Sequence, residues 1–136
     1  MPSNPYAAHL EASILTAEPI ELIRILYRTA LDSVRDARAH LAAGEIRERS
    51  NAINKTLGIL HELAISLNHE AEPMLASKLA ALYDYMERRL LAANLEQSEA
   101  PLAEVVGLLE VMTGAWYEAN PNAGQEKSGE RVLVEA

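Results

Sequence analysis

The chain of 136 residues has the length of one ordinary domain with a single hydrophobic core, enough to fold without a covalent staple. It has no cysteine, which excludes disulfides, thiolate zinc sites and cysteine nucleophiles, and at a formal net charge of −8 it lacks the basic footprint of a nucleic-acid binder. No apolar run approaches the ~20 residues that span a membrane, and no basic-then-apolar leader opens the chain, so the expectation is a cytoplasmic protein with no membrane insertion.

Ala, Leu and Glu dominate, Phe is absent, and Gly and Pro number six each. This is a helix-forming composition, because these side chains lose little rotamer freedom in a helix. In chain order, Asn4-Pro5 is an opening pair, with Asn as cap and Pro at the first helical position. Tyr6, Leu10 and Ile14 follow at steps of four, which predicts a short helix with one apolar edge within a cap segment at 4–15.

The first long helix is predicted from Pro19 to Ala42, with Ile23, Tyr27, Ala30, Val34, Ala37 and Leu41 inward and Gly44 closing it. A second is predicted from Glu45 to Asn68, with a heptad seam of Ile46, Ser50, Ile53, Leu57, Leu60, Ala64 and Leu67. Pro73 opens a third that runs to Asn94, with Leu75, Leu79, Leu82, Met86, Leu90 and Ala93 inward. Ser98 and Pro101 open a fourth, with Leu102, Val105, Leu109, Met112 and Trp116 inward. From Asn120 the periodicity stops, and 120–136 reads as a disordered tail. Short connections make successive helices antiparallel, so the predicted fold is an all-α, up-down four-helix bundle occupying 1–119 as one domain.

Several apolar residues fall outside these seams. Ala52, Thr56, Ile59 and Leu63 form a second stripe on the second helix, Leu91 points away from the third-helix seam with Tyr83 and Tyr85 on its flanks, and Gly107 and Gly114 lie on the back of the fourth. Such leftovers predict grooves that accept a helical or extended peptide, with the Tyr6–Ile14 helix as their occupant when no partner is bound.

No catalytic or metal chemistry is legible. None of the histidines has a Glu three residues before it, and none begins a His-Glu-x-x-His pattern, so no metal or other cofactor is implied. His61 is the candidate for a phosphotransfer bundle, but Glu62 beside it repels phosphate. A helical homodimer that pairs the outer stripes is the third reading.

A family resemblance favours the peptide reading. Asn4-Pro5-Tyr6, then Leu15-Thr16-Ala17-Glu18-Pro19-Ile20-Glu21-Leu22 leading to Leu26-Tyr27, then Ser66-Leu67-Asn68, resemble the flagellin-specific export chaperones, FliS, in the same order. The third-helix string Leu82-Tyr83-Asp84-Tyr85-Met86-Glu87-Arg88-Arg89-Leu90-Leu91-Ala92-Ala93-Asn94 follows that family throughout, and Trp116 matches its late tryptophan. Glu70-Ala71-Glu72-Pro73 departs from it, since many members carry a Gly-Gly pair there. The resemblance implies a cytoplasmic, non-enzymatic chaperone of flagellar type III export. Its partner would be the carboxy-terminal segment of flagellin, kept from premature polymerisation and delivered to the export gate, with other flagellar regulators as further partners. The client tail would wrap the bundle, and the amino-terminal segment would act as a cap. The residues expected to bind the peptide are Tyr6, Leu10, Ile59, Leu63, Tyr83, Tyr85 and Leu91. Asn68 and Asn94 are expected to cap helix ends.

Overall fold

A computed structural model describes residues 19–119, all of the regular structure being helical. The predicted cap segment with Tyr6 and Leu10, and the predicted tail, lie outside the described residues. The helices are α1 (Pro19–Ala43), α2 (Ile46–Ile65), α3 (Pro73–Glu96) and α4 (Glu99–Ala119).

Local chemistry places the breaks. Gly44 sits at φ 73, its N–H bonds Leu41 O at 3.1 Å, and Glu45 N–H bonds His40 O at 2.9 Å. This Schellman pair satisfies the last carbonyls of α1 and uses the left-handed backbone that glycine adopts without penalty. The end of α3 is built the same way without glycine. Gln97 takes φ 51 and Ser98 N–H bonds Ala93 O at 3.1 Å, a conformation that costs a side-chain-bearing residue roughly 1–2 kcal/mol. Pro73 and Pro101 lie in first turns, where a missing N–H removes no helical bond.

α1 packs on α2 and on α4, and α3 packs on the same two helices. Cross-helix bonds run in antiparallel order. Between α1 and α4, Arg38 meets Glu99 at 2.5 Å, Arg35 meets Glu110 at 2.7 Å, and Arg28 donates to Tyr117 at 2.9 Å. The core collects Tyr27, Val34 and Ala37 from α1, Ile53, Leu60 and Leu63 from α2, Met86 and Leu90 from α3, and Leu102, Val105 and Leu109 from α4.

On α2 the seam and the outer stripe merge. The buried residues are Arg49, Ile53, Thr56, Leu60 and Leu63, so Thr56 and Leu63 belong to the core and not to a separate face. At ~100° per residue these positions span about 80°, with half-buried Leu57 and Ala64 on one flank and Ala52 and Ile59 on the other. The reason is that α2 has two neighbours, so its buried arc is centred between them and not on one heptad seam. Thr56 reaches Ser33 of α1 at 2.5 Å, hydroxyl to hydroxyl. Each hydroxyl has one hydrogen, so one of the two turns back to its own helix (Ser33 to Ala30 O or Thr56 to Ala52 O, both 2.9 Å) while the other donates across.

Ile46 and Leu75, expected inward, are 58% and 52% exposed. Both sit in the first turn of a helix, at an end of the bundle where the neighbouring helices no longer cover them.

Candidate peptide-binding surface

The described residues nominated for peptide binding do not form one patch. Leu63 is 1% exposed and Tyr83 is 2% exposed, so both are core side chains and not surface anchors. Tyr83 turns inward because its hydroxyl meets that of Tyr27 at 2.5 Å across the diagonal of the bundle. Burial drives both phenol pKa values up, so both stay neutral and able to share one hydrogen bond. The Tyr27 ring also lies 6.0 Å from that of Trp116, which continues the aromatic interior into α4.

The other three nominees lie at three different seams. Ile59 is half-buried on the flank of α2 that carries Thr56, the flank facing α1. Leu91 is 55% exposed on the flank of α3 that carries Asn94, the flank facing α2. Tyr85 is on the opposite flank of α3 and donates to Glu104 Oε2 of α4 at 2.5 Å. Arg89 Nε donates to Glu104 Oε1 at 2.7 Å, so one carboxylate holds two α3 side chains. The Tyr85 hydrogen bond comes first and the Arg89 bond second in holding the Glu104 carboxyl below the usual carboxylate range. The same hydrogen bond pushes the Tyr85 phenol up.

Exposed apolar side chains cluster at the two ends of the bundle, and Val111, 72% exposed, stands within α4 between them. Leu91 and Leu95 stand one turn apart on α3, Leu95 at 84% exposure. Ile46 begins α2 at that same end, where Arg49 Nε and Ser50 Oγ each donate to Asn94 Oδ1 at 3.0 Å. At the opposite end Ile65, Met74 and Leu75 flank the 66–72 connection, exposed by 63%, 72% and 52%. Leu95 was readable from its spacing to Leu91. Ile65 and Met74 were not, because their exposure depends on where α2 ends and how the start of α3 is covered.

Neither asparagine caps a helix. Asn94 ties α3 to α2 through Arg49 and Ser50. The Asn68 side chain instead accepts the N–H groups of Glu70 at 3.2 Å and Ala71 at 3.0 Å, which shapes the α2–α3 turn. Arg88 pairs with Asp84 along its own helix at 2.9 Å, and Arg89 with Glu104, so the basic pair is occupied. Among the described residues no group of three His, Asp or Glu side chains is placed to hold a metal ion, and no helix is long and apolar enough to cross a membrane.

Comparison with known proteins gives one consistent result. The family model described as flagellar protein FliS matches residues 2–123. The flagellar secretion chaperone FliS of Bacillus subtilis is 33% identical over 126 residues, covering 93% of both chains. That of Salmonella typhimurium is 34% identical over 120 residues, covering 88% of this chain and 89% of its own. The flagellar secretion chaperone FliSB of Pseudomonas aeruginosa is 34% identical over 107 residues, covering 79% and 85%. These relatives are flagellar secretion chaperones, and theirs is a family of chaperones and not of enzymes. The family match over nearly the whole chain and the all-helical bundle together assign the chain to the FliS family.

Proposed function

We propose that this chain is a cytoplasmic chaperone of flagellar secretion whose client is the carboxy-terminal segment of a flagellin. On this reading it shields that segment from premature polymerisation and presents the client to the export gate. The supporting observation is the dispersal of exposed apolar side chains, Leu91 and Leu95 on α3, Ile65 and Met74 about the α2–α3 turn, around a bundle whose core is already filled. A client gripped at both ends and along several seams must wrap the bundle, and wrapping suits a segment that orders on binding.

Calorimetric titration of the carboxy-terminal segment of the host's flagellin tests the reading. Binding at micromolar concentration with a negative heat-capacity change is expected, since apolar surface is buried. No heat at that concentration, with the bundle shown folded by circular dichroism, sinks it.

A further inference from the structure

One buried charge has no part in the apolar surface. Arg24 of α1 is 5% exposed, and among the described residues its Nε and Nη2 meet no hydrogen-bond partner. These two nitrogens form one edge of the planar guanidinium. Their N–H bonds run side by side and match the paired oxygens of a carboxylate.

The surroundings suit an acid. The Arg24 Cζ lies 5.7 Å from the centre of the Tyr117 ring, and the Arg28 Cζ lies 5.5 Å from the same ring. Arg28 also donates to the Tyr117 hydroxyl at 2.9 Å, which holds the ring close to both guanidinium groups. One turn before Tyr117 on α4 stands Thr113, whose Oγ1 is likewise buried without a partner among the described residues. The unpaired polar atoms thus lie at one end of the bundle, Arg24 against Tyr117 and Thr113 one helical turn from that tyrosine. Farther along the α1–α4 seam Arg35 and Arg38 each hold a carboxylate of α4, whereas among the described residues Arg24 and Arg28 meet the Tyr117 ring and no carboxylate. A buried cation lacking a counter-charge is costly, and the chain as a whole is acidic at −8, so this is a local reversal of sign. Tyr117 is 37% exposed, whereas the two Arg24 nitrogens are closed to solvent, so a carboxylate reaches them only as the Tyr117 side chain moves aside.

We propose that Arg24, with Thr113 and Arg28 beside it, is a receptor for a carboxylate group borne by a peptide. The Nε–Nη2 edge takes both oxygens, and the Thr113 hydroxyl donates to one of them. The site stands whether or not the client is a flagellin.

The test uses the full chain labelled with 15N-arginine and follows the Arg24 Nε–H signal by NMR. Acetate is expected to shift it saturably in the millimolar range, and chloride at equal ionic strength to leave it unmoved. Arg24→Lys keeps the charge but loses the two-pronged edge, so it should weaken acetate binding about tenfold, read at the Thr113 amide. A second chain, with Glu11, Glu18, Glu126, Glu130 and Glu135 all changed to Gln, separates the sources. A response in the original chain assigns the carboxylate to a partner, and a response only in the substituted chain assigns it to this chain's own acidic residues. No response in either chain, with both folded by circular dichroism, overturns the proposal and leaves Arg24 merely hydrated.

Discussion

Tyr27 and Tyr83 meet hydroxyl to hydroxyl at 2.5 Å, from diagonally opposed helices and with both rings buried. The contact sets the height of α3 against α1, because two polar atoms in an apolar interior must find each other. Tyr83→Phe removes one of the two partners of the Tyr27 hydroxyl, which keeps its bond to Trp116, and is expected to cost about 0.5–1.5 kcal/mol. The double variant Tyr27→Phe with Tyr83→Phe removes both hydroxyls and, because the Trp116 N–H then loses its acceptor, should recover only part of that loss. Urea unfolding of the four proteins in a double-mutant cycle reads the coupling; strictly additive losses would show that the hydroxyls do not interact.

Glu104 supplies a pH-dependent contribution. Its folded pKa is lowered, chiefly by the Tyr85 hydrogen bond and then by Arg89, so its stabilisation is present above the ordinary carboxylate pKa and is lost as pH falls through the depressed folded value. Tyr85 has the opposite sign. Its raised pKa means that its share is present below the ordinary phenol pKa and is lost as pH rises through the folded value. Glu104→Gln should therefore lower the urea midpoint at neutral pH, and the difference from the parent chain should close in acid. A difference that persists unchanged in acid would show that the carboxylate charge is not involved.

Leu63 and Leu91 separate core from surface on one scale. Leu63→Ala empties a fully buried position and should cost about 2–5 kcal/mol, whereas Leu91→Asp should change stability by no more than about 0.5 kcal/mol. If the client lies along α3, Leu91→Asp combined with Leu95→Asp weakens binding of the flagellin segment about tenfold or more, a loss of ~1.4 kcal/mol. Unchanged calorimetric affinity would remove that part of α3 from the binding surface.

Gly107 and Gly114 lie within the unbroken helix α4, with no steric requirement for glycine. A Cβ added at either meets nothing within 4 Å, and neither has a positive φ. Gly107→Ala and Gly114→Ala should each stabilise the free protein by about 0.5–1 kcal/mol through backbone entropy. Thermal unfolding checks this. A lower midpoint would mean that α4 needs its glycines for packing in the free state.

Among the described residues the four long helices and their order were determined by the sequence alone, since they rest on local signals: Gly44 at a left-handed position, Pro73 and Pro101 in first turns, and three-four spacing between them; the end of α2, expected at Asn68, falls at Ile65. The inward set of α1 was legible for the same reason, with Tyr27, Ala30, Val34 and Ala37 all buried. Family membership was legible from short strings such as Leu82–Asn94, which hold whatever the tertiary packing does. Tertiary structure alone decided which flank of a helix is inside. Periodicity gives an angle around one helix axis, but the centre of the buried arc depends on where its two neighbours lie. So Thr56, Leu63 and Tyr83 moved into the core, while Ile46 and Leu75 moved out at helix ends. Side chains that bridge helices were equally illegible: Asn94 with Arg49 and Ser50, Tyr85 and Arg89 on Glu104, and Arg24 over Tyr117 are separated by 15 to 93 positions in the chain. A sequence pattern has no range over such distances. Only the packing of one helix against the next brings those groups within bonding reach.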